Sequence, residues 1–154
     1  MERWIDTALM QNPNRRCVTQ GDRIEWQGSE LEVLWPGPET AIEKGLNHNS
    51  LVLQIRRGNR IILIMGDTDK KAESLIMQQK QLQPVDVLVV GHHGAADASS
   101  EAFLKTVKPK TAVVSVNRDN FRGYPDRKTL GRLNRHSGLL HITSESGEFH
   151  AVLE

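Results

Sequence analysis

The 154-residue chain carries 20 Lys+Arg against 19 Asp+Glu, a formal net charge of +1. No bulk charge draws it to nucleic acid, and any such contact needs a local patch. With 38% hydrophobic and 25% charged residues it has the composition of one ordinary soluble globular domain with a real core. A single cysteine, Cys17, excludes an intrachain disulfide framework and a multi-Cys zinc site. No apolar run approaches the roughly 20 residues of a membrane helix, and the start Met1-Glu2-Arg3-Trp4 has no signal-peptide core.

Residues 1–16 read as a lead-in helix or loop, with Trp4, Ile5, Ala8 and Leu9 at helical spacing and Asn12-Pro13-Asn14 ending the pattern. Ile24 and Trp26, then Leu31, Val33 and Trp35, alternate with polar neighbours around Gln27-Gly28-Ser29, which predicts a hairpin. Glu39 to Gly45 is a polar loop. A second hairpin is expected from Leu51–Ile55 and residues 60–65 about an Arg57-Gly58-Asn59 turn. A helix over 69–81 would turn Ala72, Leu75, Ile76 and Met77 inward, and Pro84 starts a buried strand, Val85 to Val90. Ser99 or Ser100 can cap a helix burying Ala102, Phe103 and Val107. Thr111–Val116 is a third buried strand, Pro125-Asp126 opens a helix through Leu130 and Leu133, and a closing hairpin is expected from Leu139–Thr143 and Phe149–Leu153. Cys17 is expected to be a small buried residue. The mixture of hairpins and helix-covered strands predicts two packed sheets with helices outside.

The chemistry gathers where the buried strands end. Ile61 to Met65 stops at Gly66-Asp67, and Val85 to Val90 stops at Gly91-His92-His93-Gly94. A strand fixes the backbone there while the loop frees the side chain. A carboxylate after glycine can ligate a divalent metal, or it can simply cap the next helix, a role open to Asp67, Thr68 and Asp69 alike. Adjacent histidines in such a loop suit ligation or base chemistry near neutral pH, against the plainer reading of loop histidines bonded to backbone. Asn117, Asn120 and Tyr124 follow the third strand and are candidate polar groups over the same edge. His48, His136, His141 and His150 carry no such pattern.

In order, Asn47-x-Asn49-Ser50-Leu51-Val52-Leu53, Ile62-Leu63-x-x-Gly66-Asp67, Asp86-Val87-Leu88-x-Val90-x-His92-His93-Gly94, Ala112-Val113-Val114-Ser115-Val116 and Asn120-x-x-Gly123-x-Pro125 resemble the metallo-β-lactamase-like domain of the ComEC family, the DNA-internalisation proteins of bacterial competence. The resemblance runs from about Cys17 to Glu154. It implies an α/β fold, the four-layer αββα sandwich, with residues 17–154 matching its C-terminal half. It implies a metal-dependent nuclease domain using zinc or manganese on DNA. Asp67 would bridge two metals. His93 is favoured as a ligand with His92 beside it, although the sequence leaves the two interchangeable. Asp67, His92, Asn120 and Tyr124 would then stand at the catalytic centre.

Three departures accompany the match. The family's first half carries an H-x-H-x-D-H motif that supplies most ligands, and here the first histidine is His48, with no second histidine near it in the sequence. Gly123-Tyr124-Pro125 stands where the family usually has Gly-His-Pro, and phenol does not replace neutral imidazole as base or ligand near pH 7. Gly94-Ala95 stands where Gly-Ser is usual. Three expectations follow. The chain is a fragment of a ComEC-type nuclease domain and inactive alone. Or it is a half-domain completed by the missing N-terminal half or by a homo-oligomer, as in another metallo-β-lactamase-like hydrolase. Or it is a non-catalytic binding or scaffold module with a decayed metal site and no bound metal. The resemblance places the parent protein in the bacterial inner membrane with this domain outside the cytoplasm.

Overall fold

The computed structural model of the chain describes residues 17–37 and 47–152. The lead-in at 1–16, the Glu39–Gly45 loop and Leu153 lie outside the described residues. The first two of the three expected hairpins form. β1 (Arg23–Trp26) and β2 (Ser29–Trp35) pair antiparallel about Gln27-Gly28, where both residues take positive φ, 49° and 76°, as a tight hairpin turn requires. β3 (Val52–Arg57) and β4 (Arg60–Ile64) pair about Gly58-Asn59, and β3 also pairs with β2. Then β5 (Val87–Val89), β6 (Thr111–Val114) and β7 (Leu139–Ile142) add in sequence, each parallel to the one before.

The described residues therefore make one seven-stranded sheet in the order β1 to β7, rather than the two sheets that the hairpin pattern predicts. The register explains why. Leu53 faces Ile64 and Ile64 faces Val89, so the hairpin half and the crossover half share the β4–β5 ladder and cannot separate. The architecture is α/β, as the metallo-β-lactamase resemblance implies.

Three crossover helices, α1 (Lys70–Gln79), α2 (Glu101–Val107) and α3 (Arg127–His136), link the parallel strands. Consecutive crossovers of one hand, advancing in one direction, must all lie on the same face of the sheet. There Ala72, Ile76, Phe103, Leu104, Val107 and Leu133 pack on Ile61, Leu63, Leu88, Ala112, Val114 and Ile142, all buried. Each helix has a side-chain cap at its start. Asp69 accepts from the Ala72 amide, Ser100 from Phe103, and Asp126 from Lys128 and Thr129. Asp69 is thus the cap of the first helix, and Asp67 is not spent on it.

Some expected details are corrected. Ala102 is exposed and Leu104 takes its place inside, because the Ser100 cap sets a phase in which Phe103, Leu104 and Val107 share the inward stripe. The closing hairpin does not form. After β7 the chain turns into the short helix α4 (Thr143–Ser146), and residues 149–152 are not a strand. Thr143 explains the change: its hydroxyl accepts from the Val116 amide at 2.8 Å and donates to the Val116 carbonyl at 2.9 Å, tying the chain sideways to the loop after β6. Cys17 is exposed, not buried. Among the described residues no helix is long and apolar enough to cross a membrane.

Candidate functional site

β4, β5 and β6 run parallel, so the segments that leave them share one edge of the sheet. β3 runs the other way, which brings the Asn47–Asn49 turn before it to the same edge. Two glycines make the approach possible. A Cβ on Gly66, at φ +55°, would lie 2.8 Å from the Leu51 carbonyl oxygen, and one on Gly91 would lie 3.1 Å from that of Thr68. The His92 amide then donates to the Gly66 carbonyl at 2.9 Å, stitching the two loops together.

His92 and His93 both have left-handed backbone, φ 49° and 53°. Two such residues in succession are costly for side chains other than glycine, and strain of this kind concentrates at functional sites. It sends the rings in different directions. His93 donates from Nδ1 to the Ser115 carbonyl at 2.7 Å. That bond orients the ring and turns Nε2 toward the site, 3.6 Å from an Asp67 carboxylate oxygen. Both side chains are about half exposed, 49% and 45%. His92 is buried. Its Nε2 accepts from the Asn47 side-chain amide at 3.1 Å, and its Nδ1 faces Asp97 at 3.4 Å. His92 Nε2 is therefore already engaged by Asn47, whereas His93 Nε2 faces the Asp67 carboxylate.

Tyr124 completes the cluster from the loop after β6. Its ring stacks on His93 with centroids 6.4 Å apart and meets His92 edge-on at 5.6 Å. Asn120 lies over the same edge, but its amide is spent on its own loop. It donates to the Asn117 and Tyr124 carbonyls and accepts from the Tyr124 amide at 2.7 Å. Those bonds brace Tyr124. Gly94 seals the loop to the His turn: the Asp126 amide donates to its carbonyl at 2.9 Å, and a Cβ there would meet that of Pro125 at 2.7 Å.

Sequence patterns missed two neighbours. His48 is buried, its Nδ1 3.2 Å from Asp69, while its carbonyl accepts from the Trp35 indole at 2.6 Å. Burial raises the Asp69 pKa, but the Ala72 amide and His48 outweigh it and hold the carboxyl below its ordinary value. Asn47 orients His92. The signal available was Asn47-His48-Asn49 directly before a strand; what it lacked was the antiparallel pairing that carries it to the edge.

The donors present do not fit a dinuclear centre. Asp67 and His93 converge, His92 is committed to Asn47, and among the described residues no group of three or more His, Cys, Asp or Glu is placed to hold a metal ion. All six histidines of the chain lie within the described residues, so no further imidazole remains to be placed. A metal with two protein ligands keeps most of its coordination sphere to solvent and is held weakly.

Residues 3–116 match the family profile of the metallo-beta-lactamase superfamily. The chain is 33% identical over 130 residues to ComE operon protein 3 of Bacillus subtilis, covering 84% of this chain and 16% of that protein. It is 31% identical over 134 residues to Recombination protein 2 of Haemophilus influenzae (87% and 16%) and 35% identical over 134 residues to Competence protein ComA of Neisseria gonorrhoeae (86% and 19%). The chain thus spans about a sixth to a fifth of the length of these relatives.

Proposed function

The chain belongs to the metallo-beta-lactamase superfamily, and from that premise we propose that it is part of a ComEC-type competence protein acting in DNA uptake, contributes Asp67 and His93 to a metal-dependent phosphodiester site, and does not hydrolyse DNA by itself. The observation that carries this reading is the His93–Asp67 pair: an imidazole nitrogen and a carboxylate oxygen, 3.6 Å apart at parallel strand ends, with no third His, Cys, Asp or Glu placed to hold a metal with them among the described residues. His92 holds the turn through Asn47, and Asn120 holds Tyr124 against His93. Two donors do not fix a hydroxide-bearing ion, so no hydrolytic step is assigned to the isolated chain. The remaining ligands would come from the missing half of the domain or from a second copy. The names of the relatives support the competence setting; a membrane-embedded parent that presents this domain outside the cytoplasm is part of the same proposal.

A second reading, a binding module whose metal site has decayed, is favoured by Tyr124. A phenol stacked on His93 occupies the place where a further imidazole would complete a ligand set.

The test is metal content by mass spectrometry after dialysis against zinc or manganese, with solution mass and cleavage of single- and double-stranded DNA recorded on the same sample. The proposal expects well below one retained ion per chain and no cleavage. About two ions per chain, with cleavage abolished by Asp67→Asn, would overturn it.

A further inference from the structure

The loop at residues 117–124 does more than brace Tyr124. Phe121 at its tip is 93% exposed, the most exposed large hydrophobic side chain among the described residues. Nothing in the fold needs it there: its removal would leave the core unchanged, while its presence sets an aromatic face in water. It lines a cavity of about 220 Å³ shared with His93, Asn117, Asn120, Arg122 and Tyr124. The Arg122 guanidinium lies 5.8 Å from the centre of the Phe121 ring. One concave site therefore holds an exposed aromatic ring, a stacked His93–Tyr124 pair and a cation, and His93 in turn lies 3.6 Å from the Asp67 carboxylate. The cavity is smaller than the roughly 300 Å³ at which drug-sized ligand pockets begin. It suits one flat group, not a bulky ligand.

The charge of the same chain segment points the same way. Arg118, Arg122, Arg127 and Lys128 crowd residues 118–128 in a chain whose net charge is only +1. The acids of that stretch are Asp119 and Asp126, and Asp126 is spent as the cap of α3. This is the local patch that the overall charge balance demands of any contact with nucleic acid. Proteins that bind unpaired strands combine aromatic faces for bases with cations that track the backbone. A base within a duplex offers no free face to such a platform.

We infer that the Phe121–Arg122–Tyr124 cavity is a stacking subsite for one unpaired base of single-stranded DNA, with Arg122, Arg127 and Lys128 meeting the flanking phosphates. This deepens the proposed function and rests on it: it names the strand form presented to the Asp67–His93 edge. The subsite belongs to this chain's own residues and needs no metal, so it operates in the isolated chain.

The test is fluorescence anisotropy in EDTA at about 50 mM salt, where phosphate contacts are not screened away. The probes are a labelled 12-mer of deoxyadenylate, the same 12-mer with abasic residues, and a 12-bp duplex. The abasic strand keeps every phosphate and removes every stack. The expected result is about fivefold or more tighter binding of the normal strand than of the abasic strand and of the duplex. Phe121→Ala should bring the normal strand down to the abasic affinity without changing the abasic affinity itself. Because Phe121 lies in solvent, that variant keeps the fold. Equal affinity for normal and abasic strands, no binding of any probe, or an unchanged preference in Phe121→Ala would each overturn the subsite. None of these outcomes touches the metal and cleavage results. Conversely, hydrolysis by the metal-loaded isolated chain with the stacking preference intact would overturn the earlier reading alone.

Discussion

Gly94 and Gly123 take nearly the same backbone, φ +78° and +67°, in different surroundings. At Gly123 a Cβ meets nothing within 4 Å; at Gly94 it would meet the Pro125 Cβ at 2.7 Å. Gly123→Ala should therefore lose only the left-handed penalty, about 1–2 kcal/mol. Gly94→Ala adds a clash against a rigid ring and should lose about 3 kcal/mol or more. Urea midpoints at a common m-value measure the difference. Equal losses would mean that Pro125 gives way and that the Tyr124 loop is not anchored to the His turn. A second substitution tests the donor count. Tyr124→His places an imidazole against His93, beside Asp67, and should raise zinc affinity at least about tenfold by calorimetry, since a third protein ligand is what the pair lacks. No gain would mean that the loop holds position 124 away from the His93–Asp67 axis. At this scale the sequence was partly legible. Asp67 and the histidine pair stand out because core packing seldom calls for polar groups directly after apolar runs. Asn120 was legible only as a polar residue at the right edge, and the bonds by which it holds Tyr124 belong to a turn that no pattern displays. His48 was not legible as a site neighbour because its partner, Asp69, belongs to a different element.

Helix α1 shows how an element can mislead. Ala72, Leu75, Ile76 and Met77 mark the inner stripe expected of it, and that stripe leaves out a carboxylate that the fold buries, Glu73. In the fold Glu73 is 1% exposed. Its carboxylate accepts from the Ser99 amide at 2.5 Å and the Ser100 amide at 2.8 Å, latching α1 to the start of α2. Burial pushes its pKa up, against those two hydrogen bonds. Glu73→Ala would leave two amides without acceptors and should cost about 3 kcal/mol in chemical denaturation. A loss below about 1 kcal/mol would mean that water replaces the latch. The opposite end of the sheet has its own tie. Asp86 accepts from Lys110 at 2.7 Å, from the Ile61 amide at 2.9 Å and from Arg60 at 3.0 Å, joining the starts of β4, β5 and β6. Lys110 above all, with the Ile61 amide and Arg60, lowers its pKa from 3.8 to about 2. A depressed folded pKa contributes stability that is complete above the unfolded value and is lost as protons bind the folded form. Stability should therefore fall as pH drops from about 4 through about 2. Asp86→Asn should flatten that limb by an amount on the order of 1 kcal/mol, screening by the solvent around Lys110 and Arg60 included. A pH profile shared by both proteins would show that the acid limb lies elsewhere.

At the scale of the whole molecule the α/β class holds, while the expected pair of sheets is one sheet among the described residues, and that difference has a physical basis. Hairpins and crossovers predict two sheets when each looks self-contained, but pairing between β4 and β5 is a long-range choice that local patterns do not encode. What the patterns did encode is two apolar faces. One is covered by the helices, with Leu63 and Leu88 at 1% and 0% exposure. The other carries two rows that cross the sheet in register: Leu31, Ile55, Ile62 and Val87, and Val33, Leu53, Ile64, Val89 and Val113. Val33, Val87 and Val113 are buried yet lie outside the helix-side core, and Leu53, Ile55, Ile62, Ile64 and Val89 are only half-buried. A face this apolar, left partly to water, is a surface that associates. Neighbouring residues 63 and 64 report on the two sides separately, because alternate residues of a strand point to opposite faces. Leu63→Lys buries a charge in a dry core and should leave the chain unfolded. Ile64→Lys can carry its ammonium to solvent along its stem and should cost no more than about 1.5 kcal/mol. In sedimentation velocity the natural chain should associate as concentration rises, and Ile64→Lys should hold it monomeric. If the chain is monomeric throughout and Ile64→Lys unfolds it as Leu63→Lys does, the second face is already packed within one chain, and the half-domain reading loses its structural reason.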